Sequence, residues 1–204
     1  MEEGYRESKE SWLDLLRDLK ARGMNEPAIA VADGGLGFWA ALPEIWHQTK
    51  EQLCWLHKIR NILDKLPKAE HKEATMRIRA IYLAEDKQSA EYLAKRLIND
   101  WKQTGYLKAA ECLERALGKL LTFHQFPIEH ARHLRTTNPI ESPFAAVKLR
   151  TNASRRFRTP RSALHLLFKL LERAEKGWQK LSFPEKLKEV KLPDKEINPT
   201  NTPS

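Results

Sequence analysis

Cysteine is scarce in this chain: Cys54 and Cys112 are the only two. Two thiols cannot build a disulfide framework, and such sparing use is typical of a reducing compartment. Long apolar runs are missing too. No stretch reaches the roughly 18 apolar residues needed to cross a bilayer. The opening Met1-Glu2-Glu3-Gly4-Tyr5-Arg6-Glu7 lacks the apolar centre of a secretory signal. The expectation is a cytoplasmic protein with no membrane contact. Acidic residues are the third shortage, with 27 Asp and Glu against 36 Lys and Arg, a net charge of +9. A surplus of that size points to an anionic partner, nucleic acid before a membrane surface. The 204 residues suit one domain, or one domain with a sizeable insertion.

The stretch Pro27-Ala28-Ile29-Ala30-Val31-Ala32-Asp33-Gly34-Gly35 organises the rest. Its apolar residues show no polar alternation, which reads as a strand buried on both faces. Asp33 stands at the carboxyl end, where ligands of open α/β sheets collect. Asp is also a common turn and cap residue, so a purely local role competes with a functional one.

An amphipathic helix is expected over 8–22, from the spacing of Trp12, Leu15, Leu16 and Leu19. A short helix follows Asp33, then a second strand at 52–57, then a helix over 58–66. This is the order of an α/β sheet edge. Between 69 and 126 strand signals vanish, and three helices are expected, one of them capped by Asp86. No internal repeat is visible there. Asn138-Pro139-Ile140-Glu141 reads as a helix start with Asn138 as cap, and Thr159-Pro160 opens another. Beyond Ser182, prolines among Lys, Glu, Asn and Thr predict a flexible tail. The expected segments are therefore 1–66, 67–127, 128–181 and 182–204.

Asp33 and Glu141 are the candidate catalytic pair. Nucleases and phosphoryl-transfer enzymes use converging carboxylates to hold two Mg²⁺ ions. A Glu at this helix position also serves as a plain capping residue. Cys54-x-x-His57 has the spacing of half a zinc site, but only His130-x-x-His133 stands as a further pair, and Cys112 lies in an apolar helical pattern. A buried Cys54 with His57 hydrogen-bonded near the floor of the site is the preferred reading. Lys148, Arg150, Arg155, Arg156, Arg158 and Arg161 form a run of one charge sign, suited to DNA phosphates. Arg135 is a further candidate phosphate contact. No base-reading motif is recognisable.

Three motifs occur in order: Asp33-Gly34-Gly35-Leu36-Gly37-Phe38, Gln52-Leu53-Cys54-Trp55-Leu56-His57-Lys58-Ile59-Arg60-Asn61 and Leu134-Arg135-Thr136-Thr137-Asn138-Pro139-Ile140-Glu141-Ser142. Together they resemble the Mutator-type transposases of bacterial insertion sequences, over about residues 5–181. The resemblance implies a predominantly helical α/β chain, a partial RNase H-like core with an all-helical insertion. It further implies an Asp-Asp-Glu site in which Asp33 is the second Asp and Glu141 the Glu, both ligands of Mg²⁺ or Mn²⁺. Cys54 and His57 match the family's Cys-x-x-His signature. DNA at the insertion-sequence ends is the implied partner, in a bacterial cytoplasm at the nucleoid. The first Asp has no counterpart, because Asp14 and Asp18 fall on the polar face of the first helix. The expectation is the C-terminal part of a transposase, active only with a first Asp from elsewhere. The alternative is a non-catalytic relic that binds DNA or a full-length transposase; a full-length transposase or a second copy of the chain is the further partner expected.

Overall fold

The computed structural model describes residues 8–153, 159–178 and 180–193. Helix α1, Lys9–Ala21, starts at Ser8, whose hydroxyl accepts the Ser11 amide, and closes at Arg22. Gly23 then takes a φ of +92°, the left-handed conformation that ends helices and that glycine adopts without a Cβ penalty. Leu13 and Leu16 are buried against helix α2, Leu36–Ile45. Trp12 meets Phe38 edge-on at 5.0 Å between centroids, a favourable aromatic geometry. Ala41, Leu42, Ile45 and Trp46 complete this smaller core.

Strand β1, Ile29–Ala32, pairs in parallel with β2, Lys50–Leu53, in the register Ile29↔Lys50 to Ala32↔Leu53. Among the described residues this two-stranded sheet is the whole of the β-structure. That is why β1 is half-buried throughout rather than buried on both faces: it has one neighbour, and α1 and α2 supply its apolar cover. Strand β2 is shorter than expected and ends at Leu53. Cys54 caps helix α3, Trp55–Leu63, so the expected strand residues 54–57 open a helix instead. The amphipathic spacing of Trp55, Ile59 and Ile62, all buried on α3, outweighs the apolar run that suggested a strand.

The larger core is helical. It joins α3 to α4, His71–Tyr82, α5, Lys87–Gln103, α6, Leu107–Glu114, α7, Leu117–Leu120, and α8, Ala131–Leu134. Asp86 caps α5 by accepting the Ser89 amide at 2.8 Å. The third expected helix divides into α6, α7 and a 3-10 turn at Thr122–Gln125. Helix α3, grouped by sequence with 1–66, packs with the helices of 67–127 in one core. Gln52 ties the sheet to it. Fully buried, it donates from Nε2 to the Leu120 carbonyl at 3.0 Å and accepts the Phe123 amide at 2.8 Å.

Helices α9, Asn138–Ala153, and α10, Pro160–Glu175, pack on each other. Helix α9 includes Asn138, so its opening cap is Thr137, whose carbonyl accepts the amides of Ile140 and Glu141. The expected flexible tail is docked over its described part. A 3-10 helix spans Pro184–Glu189, the Ser182 amide reaches His133 Nε2 at 3.2 Å, and the Phe183 carbonyl accepts from His130 Nε2 at 3.0 Å. Low apolar content did not prevent order, because polar anchors replace a hydrophobic one. Residues 194–204 lie outside the described residues.

Candidate active site

The carboxyl end of β1, the start of α3 and the start of α9 meet around one sulfur. The Cys54 side chain is buried, with 1% exposure, at the point where β2 passes into α3. Its Sγ receives the Thr137 amide at 3.4 Å and contacts Thr137 Oγ1 at 3.3 Å. His57, one helical turn on, places Nδ1 3.2 Å from the same sulfur. The Trp55 amide donates to the Arg135 carbonyl at 2.9 Å, a second tie between the same segments.

Those ties put Glu141 beside the Cys-x-x-His pair. The Thr137 hydroxyl donates to Glu141 Oε1, and His57 Nδ1 lies 3.7 Å from that oxygen. The Cys54 hydrogen bond holds the His57 imidazole above its usual range. Burial opposes this, and the negative charges of Glu141 and Asp33 reinforce it. Burial alone would raise the Cys54 thiol, but the hydrogen bonds from Thr137 and His57 outweigh it and leave the thiol below its ordinary value.

Asp33 is exposed in the turn after β1. Its Oδ1 accepts the Gly35 amide at 2.9 Å, and its carbonyl accepts from Trp39 Nε1 at 2.6 Å. A Cβ at residue 35 would lie 3.1 Å from Asp33 Oδ1, so the turn needs a small residue there. Asp33 thus fills the local turn role and still keeps Oδ2 without a partner among the described residues. Glu141 likewise keeps Oε2. Among the described residues no group of three or more His, Cys, Asp and Glu side chains could hold a metal ion, whereas Mg²⁺ is commonly held by one or two carboxylates with water and substrate phosphate. Asp33 and Glu141 are the two carboxylates that would hold such an ion, as part of a ligand set rather than a closed protein cage.

The candidate Cys and His side chains are engaged with other partners. Cys54 and His57 bond to each other, His130 and His133 are engaged by Phe183 and Ser182, and Cys112 packs against the helical core. Lys148, Arg150 and Arg161 are exposed on α9 and α10, whereas Arg155, Arg156 and Arg158 lie outside the described residues. Arg135 turns inward. Its guanidinium donates to the Tyr82 carbonyl at 2.7 Å and the Ala131 carbonyl at 3.1 Å, and lies over the rings of Tyr82 and Phe123. Thr137, inside a quoted motif but given no role there, is the residue that sequence reasoning missed. Its placement directly before a helix start was the available signal.

A family model described as "Transposase, Mutator family" matches residues 1–181. The chain is 46% identical over 186 residues to the transposase for insertion sequence element IST2 of Acidithiobacillus ferrooxidans, covering 91% of this chain and 62% of that protein. It is 46% identical over 182 residues to the transposase for IS6120 of Mycolicibacterium smegmatis, covering 89% of this chain and 56% of the relative. With the transposase for ISRM5 of Rhizobium meliloti it shares 30% identity over 173 residues, 85% of this chain and 43% of that protein. The chain thus spans about three-fifths of the length of the first two. A match across 1–181 takes in β1 with Asp33, the Cys54 junction and the start of α9, and by it the chain belongs to the Mutator family of transposases.

Proposed function

We propose that this chain contributes two of the three carboxylates, Asp33 and Glu141, to a site that cleaves and joins DNA at insertion-sequence ends. The observation that carries this is the Cys54 junction. It fixes the start of α9 to the start of α3, with Glu141 beside His57, while the Cys54 amide donates to the Ala32 carbonyl at 2.8 Å and so ties in the strand end that precedes Asp33. The Asp-Asp-Glu set implied by the family resemblance has a third carboxylate, which in this reading joins them from the same or another polypeptide. Mg²⁺ or Mn²⁺, held by that completed set, is the ion class proposed to activate the attacking oxygen and stabilise the leaving one.

In this reading His57 and Thr137 orient Glu141, and the exposed bases of α9 and α10 hold the DNA backbone. The incomplete ligand set favours a second reading, a chain that binds DNA or a full-length transposase without cutting. The test is strand cleavage in Mg²⁺ or Mn²⁺ by the chain alone and by the chain fused to the N-terminal region of the IST2 relative. Cleavage by the fusion only, lost in Asp33→Asn and Glu141→Gln, is expected. A fusion that cuts equally well with both substitutions would overturn the assignment, and one that binds without cutting selects the second reading.

A further inference from the structure

Beside the first turn of α9 lies a cavity of about 410 Å³, whose lining includes Arg132, His133, Asn138, Pro139, Pro143 and Trp178. That volume falls within the range of small-ligand sites, roughly 300–1,000 Å³. Pro139 and Pro143, four residues apart, share one face of α9 and form an apolar wall. Trp178, just beyond α10, is 54% exposed. Arg132 is exposed and has no ion pair among the described residues. His133 has a fixed tautomer. Its Nε2 accepts the Ser182 amide, and an N–H can only donate, so the ring proton sits on Nδ1. The Asn138 amide is exposed and offers a donor and an acceptor.

A flat aromatic face, an unpaired guanidinium and neutral polar groups make a site for a planar heterocycle joined to an anion. Arg is suited to phosphate through its planar fork, and base–aromatic stacking tolerates every base because each has a π-face. The cavity and Glu141 share the first turn of α9, where the lining residue Asn138 precedes Glu141 by three positions and so neighbours it on the helix surface. A DNA strand reaching Glu141 therefore passes close to it. Bases within a duplex are already stacked on one another, so only an unpaired base is free to enter.

We infer that this cavity receives one unpaired base of the DNA strand engaged at the active site, with the base against Trp178 and an adjoining phosphate on Arg132. The inference rests on the DNA-acting function proposed above. It adds a contact to a nucleotide outside the reacting one.

The test uses the 204-residue chain and two fluorescent single-stranded oligonucleotides of equal length and charge, one with normal bases and one abasic at alternate positions. The normal strand should bind about fivefold or more tighter. Trp178→Ala should bring that ratio close to one, and Trp178→Phe should keep most of it. Arg132→Ala should weaken both strands alike and flatten the log–log salt slope by about one. Because Trp178→Ala can perturb α10, a strand carrying 5-iodouracil provides a check without substitution: irradiation should crosslink it to Trp178. An unchanged ratio in a folded Trp178→Ala variant, or crosslinks only elsewhere, overturns the inference alone. A chain that binds neither strand overturns the DNA-acting function and the inference with it.

Discussion

Thr137 and Cys54 stand 83 residues apart and meet through two contacts to one sulfur, from the Thr137 amide at 3.4 Å and its hydroxyl at 3.3 Å. The hydroxyl also serves Glu141 Oε1, so one proton is shared between a sulfur and a carboxylate. The carboxylate is the stronger acceptor because it is charged. The start of α9 is thus set from the α3 side, through the residue just before the helix.

Thr137→Val should therefore loosen this junction while keeping shape. The lost hydroxyl bonds are worth about 1 kcal/mol net, and Thr137→Ser should retain most of that. Urea unfolding of the three proteins measures it. A Val variant as stable as the parent would show that the hydroxyl holds nothing in place.

Gln52→Leu tests how the sheet is attached to the helical core. The Leu120 carbonyl would still accept from Trp55 Nε1 at 2.9 Å, but the buried Phe123 amide would lose its acceptor. An unsatisfied buried group costs about 1–3 kcal/mol, and unfolding free energy should fall by that amount. No loss would mean that Phe123 finds another acceptor.

The docking of 182–190 should depend on pH through His133. Burial, with help from the Arg132 charge and the neighbouring His130, holds the His133 imidazole below its usual value of 6.5. The unfolded chain therefore binds more protons in the window between the two values, and stability rises with pH there. The contribution is complete above about 6.5 and is lost as pH falls through the lower folded value. Protonation also removes the lone pair that accepts the Ser182 amide. Protection of the Ser182 amide, relative to its intrinsic exchange rate, should fall and protease cutting in 182–190 should rise on acidification, and His133→Gln should flatten that dependence. An Ser182 amide equally protected on both sides of the window would rule out the switch.

DNA binding should be steeply dependent on salt. If about four of Lys148, Arg150, Arg155, Arg156 and Arg158 reach phosphates, the log–log slope of affinity against salt should be roughly −3 to −4. Alanine at Arg155, Arg156 and Arg158 should flatten it by about two to three units. A titration insensitive to salt and to these changes would return the run to an ordinary solvated surface.

How much of this was legible in the sequence depended on whether a signal was local. Asp86 as a cap and Thr159-Pro160 as a helix start were readable, and both side chains accept the amide three residues on, because a cap depends on residues within one turn. The end of β2 was not readable. Leu53, Cys54, Trp55 and Leu56 look alike to a strand and to a buried helix start, and the choice is made by Trp55 and Ile59 packing into a core that runs on to Ala131. The order of 182–190 was hidden for a related reason, since its anchors are single hydrogen bonds to His130 and His133. At the site, Asp33, Cys54, His57 and Glu141 stood out by motif. The bridging Thr137 needed coordinates, because its role lies across the chain from Cys54.

The outer edge of β1 should make this chain self-associate. The Lys50 amide donates to the Ala28 carbonyl and the Cys54 amide to the Ala32 carbonyl. In a parallel ladder both backbone groups of a residue face the same neighbour, and facing alternates along the strand. Ala28, Ala30 and Ala32 therefore face β2, and the N–H and C=O of Ile29 and Val31 point to the other edge, which has no strand among the described residues. No charged side chain within Ile29–Ala32 blunts that edge, and unpaired edges recruit further strands. Weight-average mass by ultracentrifugation should rise with concentration. Ile29→Pro removes one outward N–H without touching the β2 ladder, at a position where an edge strand tolerates proline, and should reduce the association. A parent chain that stays monomeric at high concentration, with slowly exchanging Ile29 and Val31 amides, would show the edge to be covered already.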